Sequence, residues 1–219
     1  TRFRNVTGVQ TCALPIYTVL PAVRECAKLG VPMVTILASG FAETGGDGAE
    51  REAQLSAIAA GTGMRILGPN SMGVVNVRNK LVLTANAAFA ESEVPIGRTF
   101  VASHSGSMIG ALMSRGKTRG FGYAALVSVG NEIDLGIGEV CMATLDDPEI
   151  DSYLLFLETL RKASAIRAFA LAAAERGKPV MAYKLGRSEA AAELAMTHTG
   201  ALAGEDAIAD TFLRDCGIA

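Results

Sequence analysis

The stretch 99-TFVASHSGSMIGALMSRGKTRGFGYAALVSV-129 decides the fold. Residues 99–102 form an apolar run too short for a helix and read as a buried strand. Residues 106–115 read as a helix and residues 123–129 as a second strand. Strand, helix and strand in that order mark a parallel α/β sheet.

The same alternation runs outward in both directions. Towards the C-terminus come a helix at 135–145, interrupted by Gly136 and Gly138 and stopped by Asp146-Asp147-Pro148, then a strand at 152–157. A helix at 164–176 and a strand at 179–183 follow. After Gly186 the pattern predicts a short helix at 189–195, a loop carrying His198, and a last helix at about 205–214. Towards the N-terminus, residues 18–29 are helical, with Val19, Val23, Cys26 and Ala27 on one stripe closed by Gly30. A strand at 33–37, a glycine-rich loop at 39–48, a helix at 49–60 and a strand at 64–67 complete a first unit. Residues 74–89 are expected to be an extended segment closing that unit, and 91-ESEVPIG-97 reads as the linker. The expected organisation is therefore one α/β domain at 17–90 and another at 98–219, with no internal repeat.

Residues 6–16, VTGVQTCALPI, resemble the in-frame translation of a sequencing adapter. Residues 1–16 are accordingly set aside from the fold as a non-native segment, and with them Cys12. On that reading the sequence is a fragment whose native N-terminus lies upstream.

Composition excludes several function classes. Half of the 219 residues are apolar, 19% are charged, and the net charge is −2. That balance gives no electrostatic footprint for nucleic acid or an anionic membrane. No apolar run reaches the roughly 18 residues of a spanning helix, and no signal peptide is evident. Four cysteines without C-x-x-C spacing argue against a disulfide scaffold or zinc site, and point to a reducing cytoplasm. No metal-ligating cluster is expected in this chain.

Loops that follow the strands of a parallel sheet collect along one edge, where ligands bind. Four such loops bring Ser105, Gly106, Asn131, Glu158 and His198 to a common rim. Ser105-Gly106 opens a helix, whose free N–H groups and dipole attract an anion. An ordinary Ser cap beside a turn glycine would read the same way. Glu158, after an apolar strand, is placed either to orient an imidazole or to cap the next helix as a solvated residue. His198 suits a nucleophile that carries a phosphoryl group, although a lone loop histidine also serves structural ends. His104 reads as a packing residue or a secondary ligand contact. Ser103-His104 does not form a hydrolase triad, because neighbouring residues on one strand end do not set a base against a nucleophile. No phosphate-loop signature of the Gly-x-x-x-x-Gly-Lys-[Ser/Thr] type occurs.

Four blocks, 68-GPNSMGVVN-76, 103-SHSG-106, 128-SVGNE-132 and 186-GRSEA-190 with 197-THTGALAG-204, resemble the NDP-forming acyl-CoA synthetases, relatives of the succinyl-CoA synthetase alpha subunit. The resemblance spans about 17–219. It implies a partial Rossmann-like CoA-binding domain followed by a flavodoxin-like ligase domain. It further implies that His198 is a phosphohistidine oriented by Glu158, and that Ser105, Gly106, Asn131, Thr199 and Gly200 meet phosphate. Ser39, Gly40, Phe41, Pro69, Asn70 and Ser71 would face CoA. The implied reaction joins an organic acid and CoA at the expense of ATP or GTP, with the nucleotide and Mg on an ATP-grasp domain or beta subunit outside this chain. The family's glycine-rich CoA loop near the chain start is missing, and position 104, commonly Gln in the family, is His104 here. A different class stands beside this: the CoA-binding regulatory module of a protein acetyltransferase.

Overall fold

A computed structural model describes residues 9–12, 15–90, 94–185 and 206–219. Two sheets organise them. The smaller has three parallel strands, β1 (Val9–Cys12), β2 (Met33–Ile36) and β3 (Arg65–Leu67), in that order. Helices α1 (Ile16–Lys28) and α2 (Asp47–Thr62) connect them. Val19, Val23 and Cys26 of α1 and Leu55 of α2 pack on Val34, Ile36 and Ile66 of the strands, giving this unit its own core. Gly63, in the left-handed region, ends α2 where a side chain would be strained.

The larger sheet has six strands in the order β5-β4-β7-β6-β8-β9. They are β4 (Gly73–Asn76), β5 (Leu81–Thr84), β6 (Ile96–Ser103), β7 (Tyr123–Ser128), β8 (Ser152–Leu157) and β9 (Val180–Lys184). Strands β6 to β9 are parallel, and α3 (Gly106–Lys117), α4 (Ile137–Ala143), α5 (Ala163–Glu175) and α6 (Asp206–Asp215) cover the faces. All six residues of β7 are buried, as expected of an inner strand covered on both faces. Tyr153 lies at the centre of the main core, with its ring 4.8 Å from that of Phe169 and 5.7 Å from that of Phe100. Leu213, Cys216 and Ile218 return the chain end to the same core. Ala219 then makes one parallel bridge beside β9: its N–H donates to Val180 O, and its carbonyl accepts from Ala182 N–H.

The structure departs from the sequence reading in two places. Residues 74–89 do not close the first unit. They supply the β4–β5 hairpin, and β4 pairs antiparallel with β7, so the chain changes sheets between Leu67 and Gly73. An antiparallel hairpin can cap a parallel sheet without a crossover helix, and that removes the need for one here. Residues 9–12, set aside in the sequence, run in register along β2 from Val9↔Met33 to Cys12↔Ile36. The free edge of β2 offers backbone donors and acceptors that any extended segment satisfies, and Val-Gln-Thr-Cys is β-compatible. The short helix expected at 189–195 lies outside the described residues.

Candidate active site

Ser103 is level with Ser128 on β7 and Phe156 on β8, so three strands end side by side. The loops that leave them wall a cavity of about 260 Å³, whose lining includes Ser105, Gly106, Asn131, Glu132, Glu158 and Arg161. Asn70 and Met72, on the crossing between sheets, and Glu43, from the first unit, complete it.

The start of α3 is one wall. Ser105 is its N-cap residue in extended conformation, and its hydroxyl does not cap the helix but lies 3.0 Å from Ser107 Oγ. The positive end of a 12-residue helix therefore faces the cavity. Gly106 is required by packing: a Cβ there would fall 1.8 Å from Met72 Cγ. The glycine lets the crossing segment lie against the helix start.

Glu158 also lines the cavity. It follows β8 directly, is 8% exposed, and its carboxylate has no partner among the described residues. The residue is buried as a whole but lines the cavity, so its carboxylate is placed to meet a proton donor or cation there. Leu185 N–H donates to Leu157 O, so the chain leaves β9 next to Glu158 on its way to residues 186–205. His198, Thr199 and Gly200 lie outside the described residues.

The other carboxylates at the cavity are committed. Glu43 accepts from Gly40 N–H at 2.6 Å and Phe41 N–H at 3.2 Å. Burial would raise its carboxyl, but Asn131 and these amides outweigh that and hold it below the usual range. Glu132, in the left-handed region at φ 56°, accepts from Ile137 N–H at 2.7 Å. Its other oxygen lies 2.9 Å from His104 Nε2. That approach is off the line of an ideal hydrogen bond, yet neither atom has another partner among the described residues. At 2.9 Å the two form a buried electrostatic pair rather than a linear hydrogen bond. Burial would raise the Glu132 carboxyl; His104, the Ile137 amide and Lys162 together lower it.

Some expected ligand contacts are taken by the protein itself. Asn131 lines the cavity, but its Nδ2 donates to Glu43 at 2.6 Å and Glu52 at 2.9 Å, which uses both hydrogens. Its backbone N–H goes to Pro69 O. Asn131 thus joins the two units and has no amide hydrogen left for phosphate. Phe41 is fully buried in the first core. Ser71 is fully buried too, donating to Ser128 O and accepting from Gly73 N–H. Neither presents its side chain to a ligand, and Pro69 is buried beside them. Ser39 is exposed, while Gly40 and Asn70 are half-buried, and these three remain reachable. The sequence reading missed Glu43, Glu132 and Arg161; of these only Glu132 lay inside a quoted block.

Residues 96–219 match the succinyl-CoA ligase like flavodoxin domain family. The chain belongs to that family. Over 205 residues this succinyl-CoA ligase-like chain is 35% identical to the alpha subunit of acetate–CoA ligase [ADP-forming] I of Pyrococcus furiosus, covering 94% of itself and 43% of that protein. It is 32% identical to 4-hydroxybutyrate–CoA ligase [ADP-forming] of Nitrosopumilus maritimus, covering 91% of itself and 28% of that protein. Among solved structures it resembles the dinucleotide-forming acetyl-coenzyme A synthetase 1 of Ca. Korarchaeum cryptofilum in complex with phosphate and ADP. That likeness has a TM-score of 0.84 and 31% identity, and covers 96% of this chain and 45% of that one. The succinyl-CoA ligase-like chain thus spans less than half the length of these relatives.

Proposed function

We propose that this chain is part of an NDP-forming acyl-CoA synthetase, an acid–thiol ligase in which His198 carries a phosphoryl group. The observation that carries the reading is Glu158: a carboxylate with no partner among the described residues, lining the same cavity as the N-terminus of α3. A carboxylate there holds an imidazole N–H and leaves the other ring nitrogen's lone pair for attack. The helix start on the same cavity, with Ser105 and Gly106, stabilises the anion being transferred. Thr199 and Gly200 are assigned to the same anion through their place beside His198.

In the direction of nucleotide synthesis, inorganic phosphate attacks the acyl carbonyl. The C–S bond breaks, the thiol leaves, and an acyl phosphate forms. His198 attacks its phosphorus; the P–O bond breaks and the organic acid departs as carboxylate. The imidazole then passes the phosphoryl group to ADP or GDP on an ATP-grasp domain or beta subunit, where Mg would serve. Positioning and charge stabilisation supply most of the catalysis in such transfers.

CoA supplies the thioester. Ser39, Gly40 and Asn70 sit at the carboxyl ends of β2 and β3 and fit its approach, since Asn70 N–H bonds to Ala38 O and holds the two loops together. Phe41, Pro69 and Ser71 support those loops from beneath. No helix among the described residues is long and apolar enough to cross a membrane. Buried free Cys26, Cys141 and Cys216 suit the reducing cytoplasm we assign.

The test is phosphoryl labelling. Wild-type chain, given radiolabelled ATP and a complementing ATP-grasp subunit, is expected to gain acid-labile, base-stable phosphate, and H198A none. Equal labelling of the two proteins would remove His198 from this role.

A further inference from the structure

We propose that His104 is a positioning residue for Glu158, a strut whose one ring nitrogen holds the Glu158 backbone while the other is fixed by Glu132. The proposal rests on the reading of Glu158 given above. His104 is 6% exposed and stands where three loops meet. Its backbone N–H donates to Phe156 O at 3.1 Å, tying the end of β6 to β8. Its Nδ1 accepts the N–H of Glu158 at 2.9 Å. An imidazole nitrogen that accepts carries no hydrogen, so in the neutral ring the proton is on Nε2. That nitrogen lies 2.9 Å from Glu132 Oε2, an electrostatic contact bent away from hydrogen-bond geometry. Glu132 is itself anchored, with its other oxygen on the Ile137 amide at the head of α4.

The chain of contacts runs from α4 through Glu132 and His104 to the amide of Glu158. Every link is buried, so competition from water is small and each partner is costly to lose. A single buried bond to the residue's own N–H fixes where its Cα sits, and hence where its carboxylate enters the cavity. Ordinary core packing would ask only for a side chain of similar volume. A strut asks for one acceptor and one donor at the spacing of the two ring nitrogens. A glutamine amide offers both at nearly that spacing; leucine offers neither.

The chain has two histidines, so H198A leaves only His104 to observe. Imidazole nitrogen NMR on isotope-labelled wild-type and H198A chains is expected to give a bare Nδ1 and a protonated Nε2 for His104. The opposite tautomer overturns the proposal. Hydrogen exchange at the Glu158 amide is expected to accelerate in H104L and return towards wild type in H104Q. Equal protection in all three also overturns it. In the labelling reaction, H104L is expected to slow phosphoryl transfer on the order of a hundredfold, as loss of about an ångström of alignment does, with H104Q restoring most of it. H104L and H104Q slowed alike would reduce His104 to packing. The tautomer and exchange results stand without any label, so a wild-type chain that takes up no phosphate would count against the histidine relay and not against the strut.

Discussion

Glu158 illustrates how one side chain turns a strand end into chemistry. Its neighbours Leu155, Phe156 and Leu157 are buried, and the carboxylate continues that line into the cavity. E158Q keeps the shape and removes the charge that would favour an imidazolium. We expect it to slow phosphoryl labelling while changing unfolding stability by no more than about 0.5 kcal/mol, since the carboxylate opens on the cavity and makes no bond among the described residues. Normal labelling rates in E158Q would take this carboxylate out of the mechanism. Glu158 and Ser105 were legible in the sequence because each falls within three residues after a strand-like run in a parallel pattern. The His104–Glu132 pair was not, because it forms only once β6 and β7 lie in register and Glu132 adopts a left-handed turn. Asn131 was legible as a rim residue, but its partners Glu43 and Glu52 come from the other unit, which a single sequence does not place.

At the level of elements, α3 and the crossing segment are fitted to each other. Met72 lies over Gly106, with its Cβ 2.4 Å and its Cγ 1.8 Å from where a methyl would be. The first atoms of the Met72 side chain cannot swing clear without moving backbone. G106A is therefore expected to destabilise the protein by about 1–3 kcal/mol, the usual range for overpacking. M72A on that background should recover part of the loss, and urea unfolding of the two variants checks both. A G106A protein as stable as wild type would mean that the segment yields freely. Apart from β1, which was set aside, the described α-helices and parallel strands were read from sequence to within a few residues, since period and punctuation fix them. The β4–β5 hairpin was seen as extended chain but assigned to the wrong sheet. Its strands are short and its register to β7 is a tertiary fact.

For the whole molecule, Tyr153 makes the stability of the main core answer to alkali. Burial pushes its hydroxyl up to about 12, and Thr144 Oγ1 lies 3.4 Å from it. The folded protein holds this proton more tightly than the unfolded chain, whose tyrosines titrate near 10. The resulting stability is complete below pH 10 and is lost as pH rises through about 12. The loss is on the order of 2 kcal/mol by the upper end of that window. Y153F should flatten the alkaline limb of a denaturation profile relative to wild type; parallel limbs would show that the hydroxyl does not govern it.

The bridge between Ala219 and β9 has a practical side. Any peptide fused straight onto Ala219 sets out already aligned with the outer border of the larger sheet, travelling in the direction of β9. A fluorescent or affinity tag meant to hang free in water needs a glycine- or proline-bearing spacer first. Otherwise its opening residues are set to continue the pleat alongside β9.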